Sequence, residues 1–169
     1  YITWHSPGAF RPGDAEMDIA ASILAGGKNS RVYKRLVYEL QIAQDVMAYQ
    51  ASQEVGSAFH IISTARSGHT LAEIEKVIAE EVHRLLQNVP ERREVERAVN
   101  QYEASFLRRL EAVGGFGGKA DQLNAYFAQT GNPDYFQEDL SRYKALDPVD
   151  VQSAIRTVLR DDQRVVLSV

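Results

Sequence analysis

Hydrophobic positions along this chain change period several times, and each change marks a boundary between elements. Tyr1 to His5 is rich in β-forming residues and stops at Pro7-Gly8, a turn signal. Met17, Ala20, Ala21 and Leu24 then recur at helical spacing. They predict a helix over residues 15–25, capped by Asp14 and ended by Gly26-Gly27. Ser30 is placed to cap a second helix with the stripe Val32, Leu36, Val37 and Leu40. Alternation follows twice. In 46–51, Val46, Ala48 and Gln50 share one face and Met47, Tyr49 and Ala51 the other; in 58–65, Phe59, Ile61 and Ser63 stand opposite Ile62 and Thr64. Both segments read as half-buried strands, joined through 53–57 as a hairpin.

Helical spacing then dominates. Thr70 caps a segment reaching Gln87, with Leu71, Ile74, Val77, Ile78, Val82, Leu85 and Leu86 as a broad apolar stripe. Asn88-Val89-Pro90 breaks it, and a long helix is predicted from Pro90 or Glu91 to Val113 with Val95, Val99, Tyr102, Phe106 and Leu110 on one side. After Gly114-Gly115-Phe116-Gly117-Gly118, helices are predicted over 120–129, 135–143 and from Asp147-Pro148 onward, where Asp147 is the cap and Pro148 takes the first position. The last of these carries Val151, Ile155, Val158 and Leu159; Asp161-Asp162 then turns the chain into a closing strand, Arg164 to Val169. A strand, two helices, a hairpin, a run of helices and a final strand make an α+β domain with a mainly antiparallel sheet packed against helices. All of 1–169 reads as a single domain, and the glycine cluster as a loop inside it.

Composition narrows the chemistry. With 44% hydrophobic and 25% charged residues the chain has the makeup of an ordinary globular domain. A formal net charge of −4 gives no reason to expect nucleic acid or an anionic membrane as a partner. There is no cysteine, which removes disulfides and thiolate chemistry, and no apolar run reaches the roughly 18 residues of a membrane span. The chain opens on a strand already under way and without Met, which points to a segment of a longer protein.

Candidate chemical motifs are few. The histidines are His5, His60, His69 and His83, too scattered for a zinc-binding helix. Glu80-Glu81-Val82-His83 has a Glu-x-x-His spacing, but no second copy accompanies it, and it reads as a charged solvent face. Gly118-Lys119 ends no phosphate loop, because Val113 stands where the first glycine would be and Ala120 follows the lysine. His60 lies in an apolar strand and reads as a structural histidine. The basic pairs Arg92-Arg93 and Arg108-Arg109, set among Glu91, Glu94, Glu96, Glu103 and Glu111, read as salt-bridged surface.

One run of residues carries a family likeness. Asp14-Ala15, Ile23-Leu24, Gly26-Gly27 and Ser30-Arg31-Val32-Tyr33-Lys34-Arg35-Leu36 are followed by Gln41-Ile42-Ala43, two strands and a Glu-rich helix. Gly131-Asn132-Pro133-Asp134-Tyr135-Phe136, Val149-Asp150-Val151 and Val165-Val166-Leu167-Ser168-Val169 complete the order. The chain resembles M16 (pitrilysin-like, mitochondrial-processing-peptidase-like) metallopeptidase domains of the zinc-free kind over nearly its whole length. The resemblance implies a non-catalytic half of a zinc endopeptidase that walls a peptide-binding chamber and makes domain and subunit contacts. No catalytic or metal-binding residue is then expected here. Zinc belongs to an N-terminal domain of the same chain, where the inverted motif His-x-x-Glu-His would lie.

Many zinc-free M16 domains place an Arg after the leucine of the second helix and a Tyr seven residues later, and this pair reaches the substrate. The matching positions are Val37 and Gln44, so the substrate-facing positions lack both groups. A valine donates no hydrogen bond to a developing oxyanion. The implied partners are therefore the zinc-bearing N-terminal domain, a peptide substrate and a second M16 chain that carries the Arg/Tyr pair. The bacterial periplasm is favoured over the cytoplasm. Two other readings stand beside this one: a structural or assembly protein of the same fold without peptidase activity, and an unrelated α+β peptide-binding domain. An exposed apolar patch is expected where a neighbouring domain would dock.

Overall fold

The computed structural model describes all 169 residues. Strand β1 (Ile2–Ser6) lies between β3 (Ser57–Ala65) and β4 (Arg164–Val166), and β2 (Ala43–Ala51) flanks β3, giving the order β2-β3-β1-β4 with antiparallel neighbours throughout. The register sets Trp4 opposite Phe59 and Thr3 opposite Val165. Because side chains alternate across a strand, one face carries Ile2, Trp4, Phe59, Ile61 and Val46, all buried. Helices α1 (Asp14–Ala25), α3 (Leu71–Gln87) and α7 (Pro148–Val158) belong with these residues to one hydrophobic core. Trp4 sits at its centre, edge-on to Phe59 at 6.1 Å, with its indole N–H donated to the Arg160 carbonyl at 3.0 Å. Helices α4 (Arg92–Glu111), α5 (Lys119–Thr130) and α6 (Phe136–Lys144) complete the helical layer.

Two caps behave as the sequence predicts. Thr70 accepts from the Glu73 N–H at 3.3 Å while Glu73 returns to the Thr70 N–H, and the Asp147 carboxylate accepts from Val149 and Asp150 with Pro148 behind it. Two do not. Gly13, at φ 95°, is the cap of α1, and its N–H is taken by Glu16 at 3.0 Å; Asp14 is the first helical residue and is buried. Its carboxylate is occupied by partners far along the chain. Ser30 likewise turns its hydroxyl back to the Gly27 carbonyl, at 2.6 Å, instead of capping the helix that follows.

That helix departs most from expectation. A single turn, α2 (Arg31–Tyr33), widens into a π-helical stretch, Lys34–Glu39. The wider turn shifts everything after it around the axis, so Val32 and Leu36 stay buried while Leu40 is turned outward. The stretch ends on Gln41 at φ 55°, with the Ile42 N–H returning to the Leu36 carbonyl at 3.0 Å. A left-handed residue after a helix is normally glycine, which carries no Cβ penalty there. Gln41→Gly is therefore expected to raise stability by about 0.5–1 kcal/mol, net of the entropy that glycine adds to the unfolded chain. Urea denaturation checks it, and an unchanged or lower midpoint would refute the strain.

The remaining differences lie at ends. The long helix opens at Arg92 and not at Pro90 or Glu91, and the closing strand stops at Val166, three residues short of Val169, although the Leu167 N–H still reaches the Tyr1 carbonyl at 2.9 Å. No helix is long and apolar enough to cross a membrane.

Candidate functional site

No helix covers the second face of the sheet. The same alternation that buries Trp4 and Phe59 sends Thr3, His5, His60, Ile62, Met47, Tyr49 and Val165 outward. Met47 pairs with Ile62 and Tyr49 with His60, so a row of apolar and aromatic groups crosses the strands. His60 behaves as a structural histidine: Nδ1 meets the Thr3 hydroxyl at 3.0 Å and its ring lies 4.9 Å from that of Tyr49. Val165, Leu167 and Tyr1 are exposed at the β4 end, and Met47, Tyr49, Tyr38 and Leu40 on the β2 side. The expected exposed apolar surface is thus present, at both edges of the sheet. β2 is also the outer strand, nine residues long, with no neighbour on its far side.

Gln44 stands at the start of that edge, in a register irregularity between Ala43 and Asp45; its side chain is exposed and its amide donates to the Ala65 carbonyl at 3.1 Å. Val37 packs partly buried against the core. Val37 lies within the π-helical stretch and Gln44 beyond the turn at Gln41, and only Gln44 presents a polar group to solvent.

Beside β2 a groove of about 870 Å³ opens between α1 and the helices α4, α5 and α6. Its floor is a network that local sequence patterns do not disclose. Asp14 and Asp139 are buried, and both are held by Arg142, at 2.9 Å and 3.0 Å. Asp14 also accepts from the Phe10 N–H at 2.8 Å, from Gln50 Nε2 at 2.7 Å and from the Ser52 hydroxyl at 2.8 Å. Asp139 accepts from the Tyr126 hydroxyl at 2.7 Å. The guanidinium of Arg142 lies 5.1 Å from the centre of the Phe10 ring. Asp18, one turn along α1 from Asp14, accepts from the Tyr143 hydroxyl at 2.6 Å, and the Tyr143 ring stacks on Tyr102 at 3.5 Å.

Burial pushes the Asp18 carboxyl up to about 7, against the Tyr143 hydrogen bond and with the help of the neighbouring charge on Asp14. Burial, and then the Asp18 charge, raises the Tyr143 phenol far above its ordinary value, so that it stays a donor. The Tyr126 phenol is raised likewise, by burial and then by its bond to Asp139.

The other candidate motifs resolve as structure. Glu81 does not lie on a solvent face: it is buried and binds Arg35 at 2.9 Å and Arg84 at 2.7 Å, tying α3 to the π-helical stretch that carries Arg35. A buried carboxylate persists only with such partners. Glu80 shares Arg35 at 2.8 Å, and His83 meets Gln87 at 2.8 Å. The start of α4 is salt-bridged, with Arg93 on Glu91 at 2.6 Å and Arg92 on Glu96 at 3.8 Å, but the second basic pair is not: Arg108 donates to the Ser105 hydroxyl at 3.0 Å and Arg109 lies over the Tyr102 ring. The glycine cluster is an exposed loop between α4 and α5 with Gly115 and Gly117 at positive φ. His5, His60, His69 and His83 lie on separate elements, and no group of three His, Cys, Asp or Glu side chains is placed to hold a metal ion. The residues of this chain do not fit a zinc site.

Known proteins agree with this architecture. The sequence profile of the peptidase M16 inactive domain matches residues 1–102. No curated protein matches the sequence. A protease from Helicobacter pylori shares the fold with a TM-score of 0.84 at 16% identity over 96% of this chain, which spans 38% of that protein's chain. The inactive peptidase domain of a candidate zinc protease from Bordetella parapertussis gives 0.81 at 21% identity, covering 97% of this chain and 87% of the other. A chain of complex III2 from Candida albicans gives 0.79 at 16% identity, covering 97% of this chain and 40% of that one. Identities this low establish the fold alone.

Proposed function

Because the chain belongs to the peptidase M16 inactive-domain family, we propose that it is the non-catalytic half of a zinc endopeptidase and walls the chamber in which an unfolded peptide is held. The observation that carries this reading is the uncovered sheet face ending in the free edge of β2. An unpaired edge strand offers a row of N–H and C=O groups to an extended chain, and the apolar row Met47, Tyr49 and Ile62 receives alternate side chains. Zinc and its activated water would come from a second, N-terminal domain, and an Arg/Tyr pair from a partner chain, since Val37 and Gln44 supply neither group. The periplasm of a bacterium is the compartment this reading favours. The likeness to a complex III2 chain supports a second reading, a structural role without proteolysis.

Kinetics separate the two. With the chain assembled beside a zinc-bearing M16 domain, Met47→Glu combined with Tyr49→Glu is expected to raise KM for an unfolded reporter peptide about tenfold, roughly 1.4 kcal/mol of binding, with little change in kcat. Both side chains are exposed, so the fold tolerates the change. An unmoved KM would refute the wall. An assembly that never cleaves peptide, with zinc bound, would favour the structural role.

A further inference from the structure

Helix α5 is the least tied element of the chain. It buries one side chain, Tyr126, where α1 buries nine residues and α3 six. No residue from Ala112 to Glu138 takes part in an ion pair. A single side-chain hydrogen bond joins α5 to another helix, from the Tyr126 hydroxyl to Asp139 on α6 at 2.7 Å. The Tyr126 ring lies among those of Phe10, Tyr135 and Phe136, at 5.7, 5.8 and 5.0 Å. Segments held by so few buried contacts open at a lower free energy than the core beside them.

Both ends of α5 are built to turn. Gly115 and Gly117 precede it at φ 87° and 76°, and Gly131 follows it at φ 74°. No atom lies within 4 Å of the place a side chain would take on any of the three, so no packing holds their backbone. The Lys119 and Ala120 N–H groups bond to the Ala112 and Val113 carbonyls at 2.7 and 3.1 Å, which fastens the start of α5 to the end of α4 as a pivot. Between these ends, one face of α5 carries Gln122, Ala125 and Gln129, and this face is a wall of the groove beside β2.

We propose that α5 is a lid on this groove, pivoting at its two glycine-bearing ends and latched by Tyr126 against Asp139 and the surrounding rings. Unseating it removes one wall of the groove and widens the approach to Ala48, Tyr49 and Gln50 on β2. The lid is a property of the chain itself and holds whether or not a peptide lies along that strand. A helix of 12 residues does not keep its hydrogen bonds alone in water, so each unseating is recorded as exchange of the α5 amides.

The test is native-state hydrogen exchange of the 169-residue chain, in water and in low urea. The amides of Leu123 to Thr130 are expected to share one opening, at least about a hundredfold more frequent than the opening that frees α1 and α3, and with a weaker dependence on urea. Two variants separate the lid from global unfolding. Ile155→Val trims the fully buried core of α7, which stays folded when the lid opens. It is expected to speed exchange in α1 and α3 about fivefold and to leave α5 unmoved. Tyr126→Phe removes the latch hydroxyl and is expected to speed exchange in α5 about tenfold. Amides of α5 as slow as those of α1, and sped along with them by Ile155→Val, would overturn the lid. Protection that falls away stepwise from the ends of α5, unmoved by Tyr126→Phe, would overturn it as well, because frayed ends need no latch.

Discussion

Arg142→Ala is expected to cost the fold about 3 kcal/mol, a fall in Tm of about 6–12 °C for a chain of this size. The side chain is the sole cation paired with two carboxylates that are each almost fully out of water, Asp14 and Asp139. Removing one partner of a buried ion pair leaves a charge that neither solvent nor protein neutralises, which is worse than never having had the pair. The loss stays near the lower end of the usual range because both carboxylates keep hydrogen bonds, Asp14 from Phe10, Gln50 and Ser52 and Asp139 from Tyr126. Arg142→Lys is expected to fall between wild type and Ala, since an ammonium can meet one carboxylate but cannot fork across two. The damage has a direction as well as a size. Asp14 belongs to the α1 end of the core and Asp139 to α6, so the variant is expected to speed amide exchange in α5 and α6 before it touches the sheet. Urea denaturation with hydrogen exchange decides the matter; a loss below about 1 kcal/mol would show that the pairing is incidental.

The same network shows why the sequence is readable in some places and closed in others. Thr70 and Asp147 can be placed as caps from residues alone because their partners lie three positions away, and the stripe of α7 is legible because Val151, Ile155 and Val158 obey one helical period. Asp14 obeys the same local rule for a cap, yet its carboxylate is claimed by Arg142, 128 positions distant, by Gln50 on β2 and by Ser52 just beyond it. Local rules carry no information about such partners. Glu81 fails the solvent-face reading for the same reason, since Arg35 comes from a different element. The π-helical stretch hides because it differs from an α-helix only in hydrogen-bond register, and Val37 and Leu40 fit an α-helical stripe until the register is known. One signal could have exposed the groove's floor. Helix α6 is polar on average, yet it carries Phe136, Asp139, Arg142 and Tyr143 within two turns, aromatics and opposite charges sharing a face. A buried ion pair ringed by aromatics is what that arrangement makes.

Asp18→Asn is expected to stabilise the chain, and by more as the pH rises. The carboxyl rises from its ordinary 3.8 to about 7 in the folded protein, chiefly because burial penalises its charge. A rise of that size corresponds to a cost of the order of 2–4 kcal/mol whenever Asp18 is ionised. The sign follows from proton binding. Between the two values the folded state holds the proton more tightly than the unfolded state, so the contribution of Asp18 to stability is full below pH 4, is lost as pH rises from there to about 7, and stays lost above it. An amide carries no charge and its oxygen still accepts from Tyr143. The gain from Asn is therefore expected to be full at pH 8, smaller at pH 5 and absent near pH 3. Paired denaturation curves for the two proteins at these three values check it. A pH-independent gain would mean that packing and not charge is responsible, and a loss at pH 8 would mean that the carboxylate is already neutralised by a protein cation, Arg142 being the one whose charge acts on it. Only a gain that grows with pH marks Asp18 as a charge held at a cost to the fold.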